Sequence, residues 1–410
     1  MSSQSRVVIA SRLFPPEVSA GAFRLGALAR ALVGRGERVT VMTTIPPAHA
    51  PSARDTRGLE VRRWPVLRDA GGNVRGYLQY MSFDVPLLMR MLGTKFDVAV
   101  AESPPTTGLM VALVAALRRR PFVYYAADVW TDGVISMGAA RPVVRIMRWM
   151  ERAVLRRAHS IISVSDEVTE RLVLLGADPD DVTTVGNGID TEIFTPAAEA
   201  ADDGSYFVYT GTMSEWQQPD VFIRAFALIA DDYPDLRLRF FGQGSVESSL
   251  REVAERLLPG RVLFGGVVSP AESTSWIRGA AGALVSIVPG IGYDFAKPTK
   301  TYAAAATGTP VLFAGPAAGA DLVRSAALGR AVEFSPEAVA QAMRELLADS
   351  ADGTTAAERE RRAAWAQQNV SLSAVAERVA DVVTLAAQAT TRRIVDSART
   401  TNSGSERRAR

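Results

Sequence analysis

Residues 97–126, DVAVAESPPTTGLMVALVAALRRRPFVYYA, hold two short strand-like runs separated by a helical pattern. The runs at residues 97–102 and 122–126 have apolar side chains on both faces, which is typical of strands in a parallel sheet covered by helices on both sides. Residues 106–117 between them are long enough for the helix that joins two parallel strands. This stretch therefore predicts a βαβ unit within an α/β fold.

The same alternation continues on both sides of this unit. Further strand candidates lie at residues 7–11, 39–44, 59–64, 160–165 and 182–185 and, after a break, at 206–210, 236–241, 262–264, 283–288 and 310–314. The break is the linker-like stretch 196–204, PAAEAADDG. We therefore predict an α/β fold of two Rossmann-like doubly wound domains with a crevice between them, in which ligands meet the carboxyl ends of the strands.

The predicted first domain covers residues 1–195 and the second covers residues 205–390. A long helical stretch closes the second domain, from residue 356 to about residue 387. Residues 391–410 are polar and are predicted to be a disordered tail.

Composition limits the chemistry. The chain has 410 residues, 48% of them hydrophobic, with a formal net charge of +2 and no cysteine. Disulfides, thiolate nucleophiles and Cys-ligated metals are thus excluded, and two histidines cannot build a multi-His metal cage. The available chemistry is that of carboxylates, hydroxyls, backbone dipoles and cations.

Lysine is rare, and its placement is informative. Only three of the 46 cationic residues are lysines, and Lys297 and Lys300 stand together in the segment GYDFAKPTKTY, residues 292–302. This segment follows a predicted strand and begins a predicted helix, whose N-terminus favours anions. Two cations there would weaken the helix slightly unless an anion binds, so we predict an anion-binding site.

Other candidates follow the remaining strands. Ser19-Ala20-Gly21 opens a helix that carries Arg24, and it either approaches a phosphate through its backbone or is an ordinary turn. Asp128 with Trp130 suits the binding of sugar hydroxyls, the alternative being a helix cap. In the second half, Gly211 allows close backbone approach, and Thr212 and Gln217 offer hydrogen bonds to a phosphate or sugar.

These pieces, in this order, resemble the glycosyltransferases of the GT-B architecture and of glycosyltransferase family 4. The motifs that carry the resemblance are PPE at residues 15–17, SPP at 103–105, DVW at 128–130, NGID at 187–190, YTGT at 209–212 and PTK through GTPV at 298–311. The resemblance runs from about residue 7 to about residue 379.

The resemblance implies a retaining, metal-independent transfer of a sugar from a nucleoside diphosphate sugar, a UDP- or GDP-sugar above all, with no other cofactor. It implies that Asp128 and Lys300 are catalytic and that Gly21 approaches the donor phosphate. The remaining donor-side residues would be Gly211, Thr212, Gln217, Gly266, Val267, Asp294, Lys297 and Tyr302, with Arg24 and Trp130 on the acceptor side. The two positions where the family has glutamates are Phe295 and Ala303 in this sequence.

Two other functions stay open. A catalytically silent partner protein of the same fold is suggested by Phe295 and Ala303, and a nucleotide-sugar epimerase would share the fold. Turnover that depends on Lys300 distinguishes an enzyme from a silent partner.

The partners expected are a nucleotide sugar and a hydroxyl acceptor, in the cytoplasm, because no long apolar run or leader-like start is present. Arginines at positions 145, 148, 152, 156 and 157 follow one helical face. That face is either solvated or a peripheral contact with anionic lipid at the inner side of the membrane. The low net charge argues against nucleic acid.

Overall fold

The computed structural model describes residues 4–17, 19–47, 58–69, 74, 76–136, 138–201, 205–291, 293–294, 296–351 and 356–406; the side chains of residues 136, 350, 351 and 390–406 are outside this description. The chain divides into two compact units. Unit 1 comprises Met1–Asn187 and Val375–Arg410, and unit 2 comprises Gly188–Ala374.

Unit 1 contains a parallel sheet of seven strands in the order β3-β2-β1-β4-β5-β6-β7. The strands are β1 (Arg6–Ala10), β2 (Arg38–Thr44), β3 (Leu59–Trp64), β4 (Val98–Glu102), β5 (Phe122–Ala126), β6 (Ser160–Ser163) and β7 (Val182–Thr184). The helices are α1 (Ala20–Gly34), α2 (Tyr77–Leu92), α3 (Pro105–Arg118), α4 (Trp130–Ser136), α5 (Arg141–Leu155) and α6 (Asp166–Leu174). Strand order reverses between β1 and β4, which is the position where doubly wound sheets bind ligands.

Unit 2 repeats this plan with six parallel strands in the order β10-β9-β8-β11-β12-β13. The strands are β8 (Tyr206–Thr210), β9 (Arg237–Phe241), β10 (Val262–Phe264), β11 (Gly282–Ser286), β12 (Val311–Ala314) and β13 (Gly329–Val332). The helices are α7 (Asp220–Ala227), α8 (Glu247–Leu257), α9 (Pro270–Gly279), α10 (Thr299–Ala306), α11 (Ala317–Ser325), α12 (Pro336–Ala351) and α13 (Ala356–Asn369). Here the order reverses between β8 and β11.

Alternation along the strands produces two buried layers in unit 1. Val7 and Ile9 of β1 pack into one apolar cluster, whereas Val8 and Ala10 pack into another. All four side chains are at most 2% exposed. Both faces of the sheet are thus covered, as the apolar runs predict, and the polar groups that end the strands are left at the carboxyl edge.

The C-terminal helical stretch differs from the prediction in two ways. It is two helices, because Ser371 interrupts it: the Ser371 hydroxyl accepts the Ala374 N–H at 3.0 Å and caps α14 (Leu372–Glu406). From residue 375 the chain belongs to unit 1, since Val375, Val379 and Val383 bury their side chains among those of β1 and α1.

Other boundaries also differ from the predicted ones. The first unit ends at Asn187, eight residues before the predicted end at residue 195, and Gly188 there has a φ of 70°. Helix α14 continues to Glu406, into the segment predicted as a disordered tail. Strand β13 was not predicted, because Gly329 and Ala331 give it little β propensity.

Candidate functional site

Three glycine-containing loops at the carboxyl edge of the unit 2 sheet are joined by backbone hydrogen bonds. The N–H of Gly211, after β8, donates to Phe241 O at 2.8 Å, and the N–H of Gly242, after β9, donates to Gly266 O at 2.7 Å. Met213 N–H donates to Gln243 O at 3.1 Å. The loops after β8, β9 and β10 therefore form one connected backbone surface.

Glycine is required where these loops touch. Gly242 has a φ of +126°, and a Cβ on it would lie 2.0 Å from Gly211 O. A Cβ on Gly244 would lie 2.0 Å from Met213 O. No side chain fits at either position without moving the backbone of the β8 loop, so the GQG sequence is a structural requirement of this edge.

Lys300 lies in the first turn of α10 and reaches back to β8. Its Nζ donates to the hydroxyl of Tyr209 at 2.7 Å and lies 3.9 Å from the centre of the Tyr209 ring. The Lys300 Cε would be 3.7 Å from a Cβ on Gly211, so the ammonium lies directly beside the glycine loop. The cation is thus held at the β8–β11 reversal point, at the positive end of a helix.

Gln217 completes a buried polar network around this cation. With its amide oxygen facing Lys300 Nζ at 3.2 Å, its amide nitrogen donates to the carbonyl of Thr212 and to Tyr209 Oη. Gln217 is 3% exposed and Tyr209 is fully buried. Two of the three donors of the Lys300 ammonium are therefore engaged by Tyr209 and Gln217.

Burial shifts the ionisation of this network. Loss of water around the ammonium lowers the pKa of Lys300 to about 7. Burial also raises the pKa of Tyr209 well above its ordinary value, so its hydroxyl stays protonated. A lysine that has lost its water in this way gains most from an anion placed beside it.

The other predicted donor-side residues occupy nearby segments of unit 2. Asp294 accepts the Gly290 N–H at 2.8 Å and closes the loop before α10, in which Lys297 is exposed. Tyr302 is buried in α10, while Val267 is 68% exposed just after β10.

Of the two positions where the resemblance would place glutamates, Phe295 is outside the described residues, and Ala303 packs inside the core. The roles predicted for these residues remain predictions.

A second polar cluster lies at the β1–β4 reversal point of unit 1. Glu102 ends β4, is 6% exposed, and accepts the Ser11 hydroxyl at 2.6 Å. Its other oxygen lies 3.6 Å from the guanidinium of Arg24. Burial raises the pKa of Glu102, against the opposing effect of Ser11 and the two cations Arg24 and Arg12.

Gly21 packs against this carboxylate. A Cβ on Gly21 would lie 2.6 Å from Glu102 Oε1. The predicted approach of Gly21 to a donor phosphate remains a prediction; in the structure its Cα faces a carboxylate.

Gly21→Ala is expected to destabilise the fold by about 1–3 kcal/mol, because the added methyl group displaces Glu102 from Ser11. Gly34 provides the matched control in the same helix, since nothing lies within 4 Å of its Cβ position. Because Gly34 is the last residue of α1, Gly34→Ala should stabilise by at most about 0.5–1 kcal/mol, the value for a helix interior. Thermal unfolding of the two variants measures the difference; equal effects would mean that Glu102 is not packed on Gly21.

Buried donors without a hydrogen-bond partner surround the same edge of unit 1. Among the described residues, the Nε atoms of Arg12 and Arg24 and the indole nitrogen of Trp130 have none. Arg12 lies 4.0 Å above the ring of Tyr80, which meets Trp130 edge to face at 5.7 Å. Buried donors of this kind normally have acceptors, so this edge is suited to a ligand rich in oxygen.

Asp128 is exposed at the end of β5 and lies near a cavity of about 400 Å³ that Trp130 also lines. The carboxylate that caps α4 is a different one. Glu151, from α5, accepts the N–H groups of Trp130 and Thr131 at 2.9 and 3.0 Å. Asp128 therefore stays available for another partner.

The arginines of α5 and the residues after it lie on the surface, as Arg145, Arg148, Arg152, Arg156 and Arg157 are all exposed. In the described part of the chain no helix is both long and apolar enough to span a bilayer. The described residues also contain no group of three or more His, Asp or Glu side chains placed to hold a metal ion.

Sequence reasoning missed several of the polar residues at these edges. Tyr209 is the central one in unit 2, and Glu102 and Arg12 are central in unit 1. A signal for Glu102 was present, because it is the one charged residue that ends the apolar run VAVAE. The sequence offered no such signal for Tyr209, because a tyrosine inside a buried strand is expected to belong to the hydrophobic core.

Two family models match the chain. The model described as a glycosyl transferase 4-like domain covers residues 20–188, and the model described as glycosyl transferases group 1 covers residues 204–349. Together they include the polar edge of unit 2 and, in unit 1, Gly21, Arg24 and Glu102, but not Ser11 and Arg12.

Curated relatives and a solved structure agree with the match to these two family models. The D-inositol 3-phosphate glycosyltransferase of Corynebacterium glutamicum is 27% identical over 52% of this chain and 56% of its own. The protein of that name from Pseudarthrobacter chlorophenolicus is 28% identical over 69% of this chain and 79% of its own. HepE of Anabaena, solved with UDP-glucose, has a TM-score of 0.61 at 15% identity, covering 93% of this chain and all of that one. The chain spans about half the length of the first of these relatives.

Proposed function

This chain belongs to the GT-B glycosyltransferases of family 4 type, and we propose that it transfers a sugar from a UDP- or GDP-sugar to a hydroxyl acceptor, with retention and without a metal ion. The observation that carries the proposal is the cation of Lys300, held by Tyr209 and Gln217 beside the glycine loops of unit 2. HepE of Anabaena, which shares the fold, binds UDP-glucose.

In this proposal unit 2 binds the nucleoside diphosphate. The ammonium of Lys300 and the N-terminus of α10 stabilise the negative charge that develops on the leaving diphosphate. Thr212 is exposed beside them and offers its hydroxyl to the same group. The cation and the helix dipole would thus do what a metal ion does in other transfer sites.

The proposed sugar transfer needs no reactant other than the donor and the acceptor. The bond between the anomeric carbon and the phosphate oxygen breaks, and the acceptor oxygen forms the new bond on the same face of the sugar. The proton of the acceptor hydroxyl moves to the departing phosphate oxygen. The products are the glycoside and the nucleoside diphosphate.

Unit 1 would bind the acceptor. Asp128 would hydrogen-bond the hydroxyl groups of the acceptor, and the donors of Arg12, Arg24 and Trp130 that have no partner would meet its oxygen atoms. A small polyol that carries a phosphate has the required density of acceptors. Inositol phosphates are therefore the first acceptors to test, also because they occur in the names of the relatives.

The proposal is tested by incubating the chain with UDP-, GDP-, ADP- and dTDP-glucose and with inositol phosphate or simple sugars as acceptors. We expect one donor to be consumed, a product with the anomeric configuration of the donor by NMR, and the same rate in EDTA. A chain that releases no nucleotide and transfers no sugar from any donor is instead the silent partner.

The pH dependence of UDP binding is a second prediction. A diphosphate favours the ammonium form of Lys300, whereas the free side chain, with its pKa lowered to about 7, is mostly neutral above that pH. Binding must then take up a proton, so affinity should fall by up to about tenfold per pH unit between about pH 7.5 and pH 9. Calorimetric titration measures this slope. Lys300→Arg, which stays charged, should abolish it, and an unchanged slope in that variant would assign the proton to another group.

A further inference from the structure

Helices α2, α3 and α5 form one layer on one side of the unit 1 sheet. Their inward side chains, among them Leu87, Val111 and Val154, share a single buried cluster. Helix α3 lies next to both α2 and α5. The outward side of this layer is therefore a continuous surface, which we call the α2–α3–α5 face.

The face carries large apolar side chains that the unit itself leaves uncovered. On α5, Val143, Ile146 and Trp149 are 48, 57 and 62% exposed. Met89 of α2 and Leu117 of α3 are 65 and 73% exposed. Single exposed apolar residues are ordinary, but a group of this kind on three adjacent helices indicates an interaction surface.

The charge on the face has one sign. All residues of α2, α3 and α5 are described, and their only acidic residues are Asp84 and Glu151, both 0% exposed. Asp84 accepts the Thr107 hydroxyl at 2.6 Å, and Glu151 caps α4. The exposed charges are therefore all arginines, including Arg145 and Arg148 next to the apolar residues of α5.

We propose that the α2–α3–α5 face docks on an anionic lipid bilayer. Ile146 and Trp149 would enter the boundary between headgroups and acyl chains, and Arg145 and Arg148 would contact the lipid phosphates. A second copy of the chain fits less well, because a two-fold contact through this face would place arginines against arginines. The inference is independent of the proposed reaction.

The test is co-sedimentation of the full chain with vesicles of phosphatidylcholine alone or mixed with phosphatidylglycerol. We expect binding to the mixed vesicles only, and its loss at about 1 M salt, where charges are screened within about 3 Å. Equal binding to both vesicle types, or none to either, would overturn the proposal.

Variants locate the contact. Arg145→Gln with Arg148→Gln should weaken binding by about 25-fold, because each arginine contributes about fivefold. Arg251→Gln with Arg256→Gln, on α8 of unit 2, makes the same change of charge and should leave binding intact. Ile146→Ser with Trp149→Ser should weaken it by at least about tenfold without changing net charge.

Two outcomes of this series would contradict the proposal. One is that Arg251→Gln with Arg256→Gln weakens vesicle binding as much as the α5 pair does, which would mean that net charge alone causes the effect. The other is a dimer in analytical ultracentrifugation that Ile146→Ser with Trp149→Ser dissociates, which would make the face a contact between copies. The changed side chains are exposed, so thermal unfolding of the variants should match that of the unaltered chain.

Discussion

Lys300→Ala is expected to lower kcat with the preferred donor by a factor of about 10²–10³, a typical loss for one group that stabilises charge in the transition state. The loss should persist at saturating donor, because the charge on the leaving diphosphate grows as the bond to the sugar breaks. Steady-state rates of nucleotide release measure it.

Lys95→Ala is the matched control for this prediction, since it removes an exposed lysine from unit 1. It should leave kcat unchanged, and Lys300→Arg should recover part of the rate. An effect of Lys300→Ala on KM alone would restrict Lys300 to ground-state binding of the donor.

Gly242→Ala is expected to destabilise unit 2 by about 3 kcal/mol or more, from backbone strain at positive φ and from overpacking. Its φ is +126°, and the new Cβ would lie 2.0 Å from Gly211 O, so either the β8 or the β9 loop must move. Hydrogen exchange of the buried amides in β8 and β9 measures the loss within this unit.

The variant Gly260→Ala separates the effect of backbone strain from the effect of overpacking. Gly260 has a φ of +72°, with nothing within 4 Å of its Cβ position. Alanine there would therefore be destabilised by backbone strain alone, which costs about 1–2 kcal/mol. If the two variants lost the same stability, the close contact of the β8 and β9 loops would be refuted. Nucleotide affinity should fall in Gly242→Ala and stay unchanged in Gly260→Ala.

The fold could be predicted well from the sequence, because each strand or helix is indicated by a short contiguous stretch of residues. Buried parallel strands such as VAVAE and FVYYA are short apolar runs bounded by turn residues. Most predicted strand limits agree with those of the structure within two residues. The membership of α14 in unit 1 could not be predicted in this way. An amphipathic helix does not reveal which of two sheets its apolar side will cover.

The candidate site was predicted in part. Gly211, Thr212 and Gln217 follow β8 and Lys300 follows β11, and the structure brings them together at one edge, as the rule for parallel sheets predicts. The partner of Lys300 could not be predicted, because Tyr209 lies 91 residues earlier in the chain and within a buried strand. The same holds for Glu102 and Ser11, which only the pairing of β1 with β4 places side by side.

The central claim is that Lys300 binds a nucleoside diphosphate, and a thermal-shift series with UDP, GDP, ADP and dTDP tests it most directly. A ligand of the native state at a hundredfold excess over Kd stabilises by about 2.7 kcal/mol. We predict a shift with UDP or GDP in the unaltered chain that is strongly reduced in Lys300→Ala and retained in Lys95→Ala. No shift with any nucleotide, or a shift that Lys300→Ala leaves unchanged, would contradict the claim.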